Sequence, residues 1–150
     1  MLLRDFFAAD AVSLALPGAT KDDVLADLVG LLKLDARDSD ALLRALRRRE
    51  ALGSTGVGRG IAIPHCRSTV VERLRLAYGH RIEGLEYQAI DGRPVHDFFL
   101  IVAPPLEVGN LYLPVLGRIA QFAKEPDVPA RLAALKSPAE FFELLVEKGV

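Results

Sequence analysis

A layered α/β domain is what this sequence predicts, and three observations predict it. Between Arg73 and Ile82 the residues alternate, with Leu74, Leu76, Tyr78, His80 and Ile82 on one face and Arg73, Arg75 and Arg81 on the other. That is the period of a strand with one face buried. From Val95 to Val102 the chain is apolar with almost no polar residue, as an interior strand requires. Around these strands apolar residues recur at helical spacing, and strands alternating with helices pack as layers about a shared core. The length of 150 residues, 51% hydrophobic and 26% charged, fits one globular domain over residues 1–150. No repeat, low-complexity tract or linker divides it.

The elements follow in order. Leu2 to Leu16 is apolar but broken by Asp5 and Asp10, which predicts a short helix and an edge strand around Val12 to Leu16. Pro17-Gly18 is a turn signal. Thr20 caps a helix whose stripe is Val24, Leu28, Leu31 and Leu32, with Asp23 placed as the carboxylate of a capping box. Asp38 or Ser39 starts a second helix with Leu42, Leu43 and Leu46 inward, and Gly53 stops it. Its last turn carries Arg44, Arg47, Arg48 and Arg49, cations that complement the negative end of the helix dipole. Asp91-Gly92 marks a tight turn before the interior strand, and Pro104-Pro105 ends that strand. Pro114 belongs in a first turn, so the next helix begins near Tyr112 and buries Leu116, Ile119, Ala120 and Ala123. Asp127 and Pro129 open a short helix through Leu132 and Leu135. Ser137-Pro138-Ala139-Glu140 then caps a last helix carrying Phe141, Leu144 and Val146.

Composition excludes several functions. A net charge of −1 gives no basic footprint for nucleic acid. The longest apolar run, Phe98 to Val102, is too short for a membrane span, and the first residues lack the basic and apolar regions of a secretory signal. One cysteine cannot form an internal disulfide framework. These features predict a cytoplasmic protein.

Chemistry concentrates in Arg49-Glu50-Ala51-Leu52-Gly53-Ser54-Thr55-Gly56-Val57-Gly58-Arg59-Gly60-Ile61-Ala62-Ile63-Pro64-His65. Glycines let the backbone approach a ligand, and successive N–H groups with the hydroxyls of Ser54 and Thr55 suit an anion. Arg49 offers a cationic fork for phosphate or carboxylate. Pro64 restricts Ile63 and fixes its own φ, so His65 leaves the end of the Ile61-Ala62-Ile63 strand in a defined direction. Arg59, between Gly58 and Gly60, fits either a phosphate contact or a surface decoration. The loop has no lysine and leads into a strand, which separates it from nucleotide-binding loops. Cys66 points to the face opposite His65 on extended chain, against a cysteine–histidine hydrolase. His80 reads as a buried, hydrogen-bonded residue and His96 as an ordinary strand-end residue. Together with His65 they lack the compact spacing of a zinc site, so no metal is expected.

The stretch "REALGSTGVGRGIAIPH" closely resembles the active-site segment of the enzyme IIA domains of the bacterial sugar phosphotransferase system, in the fructose/mannitol superfamily and nearest its nitrogen-regulatory branch. "AIDGRPVHDFFLIVAPP" and "LPVLGRIAQFA" extend the resemblance over most of the chain. It implies a mixed sheet with helices on both faces. It also implies that His65 accepts a phosphoryl group from HPr or a similar donor, held by Arg49, Ser54, Thr55, Gly56 and nearby amides, with no cofactor. The phosphorylated protein would bind a regulatory partner or pass the group to an enzyme IIB cysteine. The family pattern H-L-x-x-L-x-x-L-A carries a second histidine, and "YLPVLGRIA" puts Tyr112 in its place; a register slip of two residues puts Asn110 there instead. Tyrosine donates a hydrogen bond but carries no positive charge. That replacement leaves a second function open, an unphosphorylated interaction module on the same fold.

Overall fold

The computed structural model describes residues 1–107 and 109–150. A mixed sheet is built from β1 (Phe7–Ser13), β2 (Gly56–Gly58), β3 (Ile61–Ala62), β4 (His65–Arg67), β5 (Arg75–Leu85) and β6 (Val95–Ala103). Its order is β1-β5-β6-β3-β2, and β4 also pairs with β6. β5 and β6 are antiparallel, as are β2 and β3, whereas β1 runs parallel to β5, and β3 and β4 run parallel to β6. The helices are α1 (Lys21–Gly30), α2 (Ala36–Ala51), α3 (Tyr112–Lys124), α4 (Val128–Ala133) and α5 (Pro138–Glu147). On one face Tyr78, Phe99 and Ile101 pack with Val115, Ile119, Phe122 and Phe141 from α3 and α5. On the other, Ala77, Phe98 and Leu100 pack with Val24 and Leu28 of α1 and Leu42 and Leu46 of α2. The expected mixed sheet with helices on both faces is therefore what the chain forms. Among the described residues no helix is long and apolar enough to cross a membrane.

Local signals that depend on near neighbours match the structure. Thr20 accepts from Asp23 N at 3.1 Å and Ser137 from Glu140 N at 3.3 Å, caps of the kind worth about 1 kcal/mol each. α3 begins at Tyr112 with Pro114 in its first turn. Signals that depend on distant packing moved. The edge strand is Phe7–Ser13 rather than Val12 to Leu16, because Leu16 is used to cover Gly79 of β5: a Cβ at Gly79 would lie 2.5 Å from Leu16 Cδ1. α2 starts after Asp35, which accepts from Asp38 N at 2.7 Å, so Asp38 and Ser39 fall inside the helix. β5 is buried on both faces over its first half, and Arg75 and Arg81 are half-buried rather than solvated. Arg75 donates to Leu32 O at 2.6 Å and Arg81 to Gly18 O at 2.6 Å, fastening α1 and its approach to the sheet. The pairing register shifts between His80 and Leu85, which turns Ile82 outward to 72% exposure. In α5 Leu145 is buried and Val146 exposed, and in α3 Val115 and Phe122 lie in the core while Leu116 and Ala120 are half-buried.

This architecture carries the glycine stretch to one end of the sheet. β2 and β3 form a hairpin turned by Gly58, Arg59 and Gly60 at φ of 96°, 59° and 80°. Glycine accepts such angles freely, and Arg59 is the one side chain carried through them. β3 pairs Ile61 with Asp97, β4 pairs His65 with Ile101, and Pro64 lies between them. Pro64 has no N–H to donate, but its carbonyl accepts from Ile101 N at 3.0 Å, so the chain is held to β6 through the interruption. His65 thus opens a second short strand instead of leaving at the end of one.

Candidate functional site

His65 is half-buried, and its Nδ1 lies 2.7 Å from the carbonyl oxygen of Ile63. A carbonyl only accepts, so in the neutral ring Nδ1 carries the proton and Nε2 keeps its lone pair. Burial is the main influence on this imidazole and lowers its pKa below the ordinary 6.5; the Arg49 guanidinium acts the same way, while the Ile63 bond and the Glu50 carboxylate oppose both. The net result is a neutral ring near pH 7 with a free nucleophilic nitrogen.

Tyr112 stands beside it, with ring centroids 6.0 Å apart and planes tilted by 58°. The unshifted register of the α3 motif is therefore the one that meets His65. Asn110 lies two residues outside the helix, exposed and with φ of 48°. Tyr112 N donates to Glu107 Oε1 at 2.7 Å, which supplies a partner at the start of α3. Burial pushes the Tyr112 phenol up to about 12, so it stays a hydrogen-bond donor at neutral pH.

Arg67 completes the group. Its guanidinium carbon lies 4.5 Å from the centre of the Tyr112 ring, a cation–π contact, and its Nη1 donates to Pro104 O at 2.9 Å. His65 and Arg67 are two apart on β4 and so project to the same face, while Cys66 between them is buried in the opposite core. Sequence reasoning missed Arg67. The signal was present, because the same alternation that turned Cys66 away from His65 turns Arg67 toward it.

The residues expected to cradle phosphate are distributed differently from one another. Arg49 is close enough to bear on both His65 and Tyr112, and its Nη1 donates to Gly53 O at 2.9 Å. Ser54 donates to Tyr87 O at 2.7 Å and accepts from Gly56 N at 3.0 Å. Thr55 is 5% exposed, and its hydroxyl bonds Glu50, with Tyr87 OH at 3.3 Å. Gly56 is small because Ala89 lies against it: a Cβ there would sit 2.7 Å from Ala89 Cβ. Both hydroxyls are thus engaged within the protein. The charged groups that bear on His65 are Arg49 and the buried Glu50, while Arg67 stands over its neighbour Tyr112, 4.0 Å from Glu107 Oε1. Arg59, which fitted two roles in the sequence, donates to the carbonyls of Lys124 and Glu125 at the C-terminal end of α3.

The other histidines are tied into the fold. His80 Nδ1 lies 2.8 Å from Asp97 Oδ1, which also accepts from Tyr78 OH at 2.6 Å. His96 Nδ1 donates to Arg81 O at 3.1 Å. Among the described residues no group of three or more His, Cys, Asp or Glu is placed to hold a metal ion.

Residues 5–148 match the family model described as phosphoenolpyruvate-dependent sugar phosphotransferase system, EIIA 2. The chain is 32% identical over 140 residues to the fructose-specific EIIA component of Haloferax volcanii, covering 92% of this chain and 90% of that one. It is 30% identical over 146 residues to the nitrogen regulatory protein of Bradyrhizobium diazoefficiens, covering 97% and 95%. The crystal structure of nitrogen regulatory protein IIA-Ntr from Neisseria meningitidis superposes with a TM-score of 0.85 at 26% identity, over 94% of this chain and 97% of that one. Against the fructose-specific EIIABC component of Bacillus subtilis, 26% identical, this chain spans 23% of the longer protein.

Proposed function

The chain belongs to the EIIA 2 family of the phosphoenolpyruvate-dependent sugar phosphotransferase system, and within that family we propose that it is a cytoplasmic phosphoryl carrier that uses His65. The observation that carries this reading is the 2.7 Å bond from His65 Nδ1 to Ile63 O, because it leaves Nε2 as the attacking atom. Nε2 forms the bond to phosphorus as the bond between phosphorus and the ring nitrogen of an HPr-like donor breaks. The donor nitrogen recovers its electron pair, and no proton moves. The phosphorylated His65 ring becomes cationic and keeps its Nδ1–H on the Ile63 carbonyl. Phosphoryl transfer asks chiefly for position and for charge around the equatorial oxygens. Arg49 and Arg67 supply the charge, and the Tyr112 hydroxyl supplies a neutral donor.

The relatives bear both sugar-transport and nitrogen-regulatory names, and each implies a recipient. About two added negative charges at His65 would change recognition by a regulatory protein. The EIIABC relative joins its A component to B and C components, which supports transfer onward to an enzyme IIB cysteine as the alternative output. Nitrogen-type regulation is the reading we favour, since the solved structure with a TM-score of 0.85 is a nitrogen regulatory protein. A second reading, an unphosphorylated binding module, rests on Tyr112, which cannot carry positive charge.

Intact-mass spectrometry after incubation with an HPr-type donor, its kinase and phosphoenolpyruvate separates these readings. An acid-labile gain of one phosphoryl group, absent in His65→Ala, is the expected result. No gain, beside a control enzyme IIA that labels fully, would replace the carrier with the binding module.

A further inference from the structure

Glu50 sits in the last turn of α2 at 9% exposure, and four donors converge on it. Thr55 N donates to Oε2 at 3.1 Å and the Thr55 hydroxyl to Oε1. Tyr87 OH donates to Oε1 at 2.9 Å, and Lys21 Nζ lies 2.9 Å from Oε2. Lys21 is itself held 4.2 Å above the centre of the Tyr87 ring. Removing a carboxylate from water is costly, and an ion pair so buried is often no more stabilising than apolar residues of similar size. Stability alone is a weak reason for its presence.

The bonds beyond Thr55 supply a better one. The Thr55 carbonyl accepts from Ile63 N at 3.0 Å, and the Ile63 carbonyl accepts from His65 Nδ1 at 2.7 Å. Thr55 is therefore gripped on its N–H and hydroxyl by Glu50 and on its carbonyl by Ile63. Three residues stand in line from a buried, charged anchor to the ring, and the last link sets which ring nitrogen carries the proton. We propose that Glu50 is a positioning residue for His65: through Thr55 and Ile63 it fixes the Nδ1–H tautomer and aims Nε2 at the incoming phosphorus. The link acts by geometry, since the bonds at Thr55 and Ile63 pass through different peptide units of each residue. Its consequence for rate rests on the phosphocarrier reading; its consequence for the tautomer does not.

Glu50→Gln is the direct test, because it keeps size but removes one acceptor oxygen and the charge that holds Lys21. Nitrogen-15 NMR of the imidazole side chains distinguishes the two tautomers, and the His65 signal is the one missing from the His65→Ala spectrum. Wild type is expected as a single Nδ1–H form. Glu50→Gln is expected as a mixture of tautomers, with phosphoryl uptake from the donor slowed by about 10- to 100-fold, the usual cost of losing a group that orients a reacting side chain. A single Nδ1–H form with an unchanged uptake rate in Glu50→Gln would overturn the proposal. So would a lost rate with an unchanged tautomer, which is what general loosening of the fold gives. Should Glu50→Gln not fold, Thr55→Ala removes the hydroxyl arm of the same grip. A detectable Nε2–H population is then expected, and its absence overturns the claim. If wild type takes up no phosphoryl group, the carrier reading falls, while the tautomer comparison still decides the role of Glu50.

Discussion

His65 and His80 lie on the same face of the sheet and flank β6 near its two ends, His65 opposite Ile101 and His80 opposite Asp97. Each commits Nδ1 to an oxygen, at 2.7 Å for His65 and 2.8 Å for His80. The oxygens differ. His65 has a neutral carbonyl, with Arg49 and, less strongly, the buried Glu50 acting on it, and with Arg67 stacked on the neighbouring tyrosine. His80 has a buried carboxylate, already shared with Tyr78. A carboxylate behind the ring suits a structural bond, and a phosphoryl group arriving there would meet like charge. Cations around a ring held by a carbonyl suit an anion that arrives and leaves. Nδ1 faces an oxygen at both corners, so it is the surrounding charge that sets the proposed carrier histidine apart from the structural one.

The largest effect breaks this comparison outright. His65→Ala is expected to abolish phosphoryl uptake, whereas His80→Ala keeps it and instead destabilises the fold by about 1–3 kcal/mol, the range for leaving a buried acceptor short of a partner. Uptake by mass spectrometry and denaturant unfolding on the same two variants read both halves. Labelling of His65→Ala would show that the two corners are not distinct.

Arg67 tests the charge half of the argument. Arg67→Met should slow uptake by about 10²-fold, the lower range for removing one preorganised donor to developing charge. Arg67→Lys should recover only part, because a lysine keeps the charge but not the planar group stacked on Tyr112. Rapid-quench measurement of the first turnover reads both, and equal rates for Arg67→Met and wild type would place the charge elsewhere. Tyr112→Phe should cost less, up to about tenfold, since one neutral hydrogen bond contributes about 0.5–1.5 kcal/mol. An unchanged rate in Tyr112→Phe would make the tyrosine a platform for Arg67 alone.

Much of this site was legible, and the reason for what was not is physical. His65, Arg49 and Tyr112 stood in contiguous motifs, and the caps at Thr20 and Ser137 depend on bonds only three residues long. The start of α2 was harder to read because Asp35, Asp38 and Ser39 are all competent caps; it is Asp35 that accepts from Asp38 N. Ser54 and Thr55 offered hydroxyls suited to an anion, yet those hydroxyls bond Tyr87 and Glu50, and Tyr87 is brought near only by the fold. The Glu50 cluster was hidden for the same reason: its partners Lys21 and Tyr87 come from other parts of the chain. Arg67 was readable by alternation alone.

The smallest effect concerns pH. Burial, aided by Arg49, holds the His65 pKa below 6.5, so at pH 6.5, where an exposed imidazole is half protonated, the neutral form of this ring predominates. A protonated ring has no lone pair to offer phosphorus. The uptake rate should therefore begin to decline at lower pH than it would for an exposed imidazole, falling as pH passes through the lower, folded-state value. Stability carries the same sign. Between the folded pKa and 6.5 the unfolded chain binds more protons at this residue, so the contribution of neutral His65 is complete above 6.5 and is lost as pH falls through the folded value. Wild type should accordingly lose stability relative to His65→Ala when denaturation is compared at about pH 7 and pH 5. Arg49→Met removes one of the two lowering influences and leaves burial, the larger, in place, so the inflection in the rate should rise only slightly. A rise to the ordinary 6.5 would mean that Arg49, rather than burial, keeps this ring ready.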